Sequence, residues 1–89
     1  MSKNRTERKR QKYLQHLTAI AEAYLKARSV YPPDEQAFLR LAGQKEVDVF
    51  HQTMYLVEQG AEKHGYRFKW WYELRDGSWT FEFVDLKED

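Results

Sequence analysis

Residues 66–86 have the sequence YRFKWWYELRDGSWTFEFVDL, in which apolar and polar side chains alternate on both sides of Asp76-Gly77. Such alternation is typical of a β-strand with one buried face, and Asp-Gly between two strands is a strong signal for a two-residue hairpin turn. A type I′ turn here would pair Leu74 with Trp79. It would also pair Tyr72 with Phe81, and Trp70 with Phe83. The sequence therefore predicts an antiparallel hairpin over residues 66–86.

The two faces of the predicted hairpin differ in composition. One face is aromatic and should join the core, because Tyr66 and Phe68 continue the row of rings. The other face carries Trp71 among charged residues. An exposed tryptophan beside cations is typical of a binding anchor and can stack on a nucleic-acid base, whereas cover by a helix or a dimer partner is the alternative. The candidate binding residues on this face are Arg67, Lys69, Trp71 and Arg75.

Three helices are expected before the hairpin. Apolar residues at helical spacing predict helices over about residues 6–28 and 45–63, and Asp34 and Gly43 predict the cap and the stop of a shorter one between them. The first should bury Tyr13, Leu17, Ile20, Tyr24 and Ala27, with Leu14, Ala21 and Leu25 widening its stripe. The second should bury Phe38, Leu39 and Leu41. The third should bury Val47, Phe50, Met54, Val57 and Ala61, with Val49 and Leu56 at its margins.

The fold class that follows is α+β, with three helices followed by a C-terminal antiparallel β-hairpin packed on them. A two-stranded hairpin is marginal in water, so the helices must cover its aromatic face. Ser29-Val30-Tyr31 could add a short third strand near residues 29–31. The element order would then be that of a winged helix-turn-helix domain, which is one topology the pattern allows.

The length of 89 residues predicts a single compact domain over residues 13–86. Residues 1–12 would form a basic arm or a helix extension, and residues 87–89 an acidic tail. The absence of cysteine excludes disulfides and is consistent with a cytoplasmic protein. The N-terminus leads into charged residues and not into a signal sequence, and no apolar run approaches the ~20 residues that cross a bilayer. We therefore expect no membrane partner.

Charge is distributed unevenly along the chain. Residues 1–30 contain eight lysines and arginines against two acids, a net charge of +6, whereas residues 31–89 have a net charge of −5. Six of the cations lie within ten residues: Lys3, Arg5, Arg8, Lys9, Arg10 and Lys12. Such clusters bind phosphates by releasing counterions, although a solvated helix end that aids solubility is an equal alternative.

The sequence contains no signature of catalysis, a metal or a cofactor. The three histidines, His16, His51 and His64, lack the spacing of a ligand set, and the isolated glycines form no phosphate-binding loop. The third helix is also a poor recognition helix for DNA, because Glu46 and Asp48 near its start would face phosphates. We therefore expect a non-enzymatic binding protein without a cofactor.

Two classes of function remain. The first is association through the basic N-terminal helix with nucleic acid, although an acidic protein surface could also be its partner. The second is a protein-binding adaptor or inhibitor, of the phage or accessory-regulator type, that docks through the outer hairpin face and the acidic body. A free hairpin edge would also allow a homodimer to form by strand pairing.

Overall fold

The computed structural model describes the backbone of residues 2–88 and the side chains of residues 7–87. Its elements are α1 (Ser2–Arg28), α2 (Glu35–Ala42), α3 (Gln44–Lys63), β1 (Tyr66–Glu73), β2 (Ser78–Asp85) and a final 3-10 turn (Leu86–Glu88). The two strands form an antiparallel sheet that packs through β1 on α3 and through β2 on α1. The predicted α+β arrangement, three helices followed by a hairpin packed on them, is confirmed.

The ends of α2 follow from the two predicted signals. Asp34 precedes the helix, and its Oδ2 accepts the N–H of Ala37 at 2.9 Å, which satisfies a backbone donor of the first turn. Gly43 ends α2 with a φ of 94°, a conformation that favours glycine. Helix α1 begins at Ser2 and contains the basic segment.

The hairpin register differs by two residues from the predicted one. Tyr72 pairs with Trp79 and Trp70 pairs with Phe81, so residues 74–77 form a four-residue loop. The N–H of Gly77 closes this loop by donating to the carbonyl of Glu73 at 2.9 Å. A type I′ turn needs positive φ at both central residues, but only Gly77 (φ 64°) has it here. The predicted two-residue turn was therefore wrong.

A shift of two residues leaves the strand side chains on their predicted faces, because side chains in a strand alternate with a period of two. Tyr66 and Phe68 are buried, and the other rings of this face pack partly buried against the core: Trp70, Trp79, Phe81 and Phe83. Leu74 is the exception. It lies in the loop with 87% of its surface exposed, so its predicted place in the core was wrong.

The helices bury narrower faces than predicted. In α1 the buried apolar residues are Leu17, Ala21 and Leu25. The prediction was wrong for Ile20, Tyr24 and Ala27, which are exposed. In α2 the core receives Ala37 and Phe38, and the predicted Leu39 and Leu41 are exposed. In α3 the row from Phe50 to Ala61 is buried as predicted, but Val49 and Leu56 are exposed. The sheet covers α1 and α3 from one side, so their opposite margins stay open to solvent.

Residues 29–31 form a turn and not the predicted third strand. The N–H groups of Val30 and Tyr31 donate to the carbonyls of Ala27 and Arg28, so they are not free to pair with a strand. Ser29 instead links α1 to β2, since its hydroxyl accepts the N–H of Trp79 at 2.9 Å. A winged-helix relationship remains a prediction.

Two substitutions on the hairpin test this packing. Phe68→Ala should lower the free energy of unfolding by about 3–5 kcal/mol, because it empties a buried site between the helices and the sheet. Leu74→Ala should change it by less than about 0.5 kcal/mol, because the side chain is exposed. Urea unfolding followed by circular dichroism measures both. A large loss for Leu74→Ala would instead support the predicted two-residue turn.

Candidate functional site

Arg10, which the sequence places in the basic cluster, is buried against the hairpin and only 7% exposed. Its Nε donates to the carbonyl of His64 at 2.7 Å, and its Nη2 donates to the carbonyl of Gly65 at 3.3 Å and to Asp85 Oδ1 at 2.8 Å. The guanidinium lies 4.2 Å from the centre of the Tyr66 ring. Arg10 therefore fastens α1 to the end of α3 and to both strands, which makes its role structural.

The pairing with Arg10 affects the protonation of Asp85. The hydrogen bond from the Arg10 guanidinium holds the pKa of the Asp85 carboxyl below its usual range, and the backbone N–H of Lys87 adds to this effect. The same hydrogen bond raises the pKa of Arg10. Both groups are therefore charged near pH 7, and the pair joins the N-terminal half of α1 to the end of β2.

The other cations of the predicted cluster face solvent where their side chains are described. Arg8, Lys9 and Lys12 are exposed, whereas the side chains of Lys3 and Arg5 lie outside the described residues. Lys9 lines an open depression together with Lys63 and Lys87, and Arg10, Glu62, His64 and Gly65 complete its lining. We call Arg8, Lys9, Lys12, Lys63 and Lys87 the basic end of the protein.

Sequence reasoning missed Lys63 and Lys87 as members of this surface. Lys63 is the last residue of α3, and Lys87 follows β2. They lie near Lys9 because α3 and β2 both end beside the first half of α1. At this place Arg10 binds His64, Gly65 and Asp85. No local pattern at either lysine signals this arrangement, since it depends on how the elements pack.

The outer face of the hairpin carries most of its predicted candidates. Arg67 and Lys69 are exposed on β1, and Trp71 is 38% exposed with its indole N–H donating to Glu73 at 3.1 Å. Arg75 lies in the loop after β1, so its predicted place on the strand face was wrong. Lys69 stands opposite Glu82 in the register, which offsets part of the positive charge of this face.

A second buried arginine, Arg28, ends α1 and was not predicted as a site residue. It is 1% exposed, donates to the carbonyls of Pro32 at 2.7 Å and Pro33 at 3.1 Å, and lies 3.9 Å from the centre of the Phe38 ring. Burial lowers the pKa of its guanidinium, which nevertheless keeps its charge at neutral pH. The sequence held one signal for its position. Arg28 lies five helical turns after Arg10, so both arginines are on the same face of α1.

Within residues 2–88, no group of three or more potential ligands is placed to hold a metal ion, and no helix is both long and apolar enough to span a bilayer. Comparison with models of protein families, with curated proteins and with solved structures gave no match.

The Arg10–Asp85 pair predicts a specific dependence of stability on pH. A carboxyl whose pKa is lowered by folding stabilises the fold above its unfolded value of about 3.9, and this contribution is lost as the pH falls through the folded value. Asp85→Asn should therefore destabilise the protein near pH 7 and less near pH 3. Urea unfolding at several pH values measures the difference. In an Arg10→Gln background the same substitution should have a smaller effect near pH 7, because only the backbone N–H of Lys87 then still donates to Asp85. An equal destabilisation by Asp85→Asn at both pH values would contradict the pairing.

Proposed function

We propose that this protein is a non-enzymatic binding protein that associates with nucleic acid through its basic end. The observation that carries the proposal is the convergence of Lys9, Lys63 and Lys87 on one depression, although they are far apart in the sequence. Exposed Arg8 and Lys12 extend the positive surface along α1. Lysines placed around one concave surface suit a phosphate backbone, which is a line of regularly spaced negative charges.

The role of Arg10 strengthens this proposal, although Arg10 itself is withdrawn from the binding surface. It occupies the carbonyls of His64 and Gly65 and neutralises Asp85, and it also lies 3.6 Å from Glu7. These acceptors and acids would otherwise repel a phosphate at this end, and Arg10 engages them. Glu62 is the acid that remains in the lining of the depression.

The chemistry of this surface favours contacts with the backbone over base recognition. Its exposed members are four lysines and one arginine, and lysine ammonium groups bind phosphates as point charges without selecting a base sequence. We therefore expect affinity that depends steeply on salt and weakly on sequence. With about three to five phosphate contacts, the slope of log K against log salt would be about −3 to −4.5 on duplex DNA.

Charge reversal with a matched control tests the proposal. Lys9→Glu with Lys63→Glu removes two members of the basic end, whereas Lys26→Glu with Lys45→Glu makes the same change in net charge elsewhere on α1 and α3. Lys26 is about 26 Å along α1 from Lys9. All four lysines are exposed, so both variants should fold.

Fluorescence anisotropy with labelled duplex and single-stranded oligonucleotides would measure binding at several salt concentrations. The Lys9/Lys63 variant should lose about tenfold or more in affinity near 0.1 M salt. The slope of log K against log salt should become less steep by about 2. The Lys26/Lys45 variant should lose no more than about threefold. Equal losses in the two variants, or no binding by the unaltered protein at low salt, would contradict the proposal.

A protein-binding module is the second candidate, and the outer hairpin face favours it. Trp71 is partly exposed there, and its hydrogen bond to Glu73 restrains the ring before any partner arrives. A restrained aromatic side chain loses little entropy on binding, which is a property of interface anchors.

Replacement of Trp71 separates the two candidates. Trp71→Ala should leave the fold intact, since the side chain lies on the uncovered face of the sheet, and should leave oligonucleotide affinity within about twofold. The same variant should lose the proteins captured by the unaltered chain if the outer face is an interface. Leu74→Ala, an exposed apolar residue in the loop, is the control. Capture that survives Trp71→Ala would remove this face from consideration.

A further inference from the structure

Arg28 has an unusual environment for a buried cation. The two nitrogens at the end of its guanidinium donate to the carbonyls of Pro32 and Pro33, but its Nε is buried without a hydrogen-bond partner. Among the described residues, none of the salt bridges involves Arg28. The negative charges of Glu35 and Asp34 offset part of the effect of burial on the pKa of Arg28, but neither acid makes a hydrogen bond or salt bridge with it. A buried donor without an acceptor costs free energy, so the Nε is short of one acceptor.

A cavity with a volume of about 80 Å³ adjoins Arg28. We call it the Arg28 cavity. Its lining is mostly aromatic and apolar: Tyr24, Ala27, Tyr31, Phe38, Val49 and Phe50, together with Arg28 and Glu46. Pockets for drug-sized ligands measure roughly 300–1,000 Å³, and a water molecule takes about 30 Å³ of liquid. The Arg28 cavity is thus too small for a nucleotide but large enough for one carboxylate group.

The rim of the cavity is suited to contact with another molecule. Tyr24 is 37% exposed and Val49 is 44% exposed, although the sequence pattern places both on apolar helix faces. Apolar side chains around a buried charged group exclude water from it, which is the arrangement found at the energetic centres of interfaces. Arg28 is also held in place by its carbonyl and ring contacts, so binding would not have to order it.

We propose that the Arg28 cavity binds a single carboxylate, supplied by an acidic side chain of a protein partner or by a small organic acid. The carboxylate would accept from the Arg28 guanidinium, and the rings would shield this charge pair from water. Charge-assisted hydrogen bonds of this kind are stronger than neutral ones. The site is separate from the basic end, because Arg28 lies about 27 Å along α1 from Arg10.

Glu46 lines the same cavity, so its carboxylate would compete with an external one. It makes no salt bridge with Arg28, and it lies in the exposed first turn of α3. Its negative charge should weaken the binding of an external carboxylate. Glu46→Gln keeps the shape of the side chain and removes the charge, so this variant should bind the external group several-fold more tightly.

Nuclear magnetic resonance can observe the Nε–H of Arg28 directly, and Arg28→Lys assigns the signal by its loss. Sodium acetate and a short peptide with one central aspartate would be titrated separately into the full protein, with sodium chloride at matched ionic strength as the control. We expect the Nε–H signal to shift in a saturable way, with a dissociation constant of about 1–10 mM for acetate. A shift with both probes would show that a free acid suffices, and a shift with the peptide alone would indicate a protein partner.

A blocking variant checks that the shift comes from the cavity. Ala27→Phe places a ring at the lining and should abolish the response, whereas Ala23→Phe, at an exposed position one turn earlier on α1, should leave it unchanged. Loss of the response in both variants, or a signal that neither probe shifts, would overturn the proposal. The proposal would also fail if Glu46→Gln moved the Nε–H signal by itself while neither probe affected this variant, because Glu46 would then be the partner of Arg28.

Discussion

The structure depends on one constraint, which is that a two-stranded sheet cannot bury its own inner face. The rings of this face need cover, and α1 and α3 supply it from one side. Phe50 of α3 packs edge to face on Trp70 with ring centres 5.5 Å apart. Phe68 stacks on Phe83 with ring centres 5.0 Å apart. Aromatic contacts across strands and helices therefore join the two halves of the chain into one core.

Two arginines of α1 complete this core, one in the first half of the helix and one at its C-terminal end. Arg10 binds the carbonyls that follow α3 and the carboxylate at the end of β2, and Arg28 binds the Pro32-Pro33 carbonyls. Each guanidinium also lies over an aromatic ring, Tyr66 for Arg10 and Phe38 for Arg28. Arginine suits both places because its long stem packs on apolar surface while its planar head donates several hydrogen bonds.

The two arginines have different consequences for function. Arg10 forms a salt bridge with Asp85. Because Arg10 is buried, Lys9, Lys63 and Lys87 are the exposed positive groups around the depression. Arg28 donates to carbonyls and makes no salt bridge among the described residues; its Nε has no hydrogen-bond partner, and the residue lines a small aromatic cavity. The first arrangement supports the proposal of a phosphate-binding surface, and the second supports the proposal of a carboxylate site.

The sequence by itself determined the elements, since their signals are local. The Asp34 and Gly43 caps, the spacing of α3 and the alternation of the hairpin act within a few residues, so helix limits and strand faces could be predicted. Tertiary structure alone decided the two-residue shift in register, the exposure of Leu74 and the burial of both arginines. It also decided that Lys63 and Lys87 join Lys9. A charged side chain looks solvent-exposed in a sequence, and only the packing of distant segments shows which carbonyls, rings and carboxylates surround it.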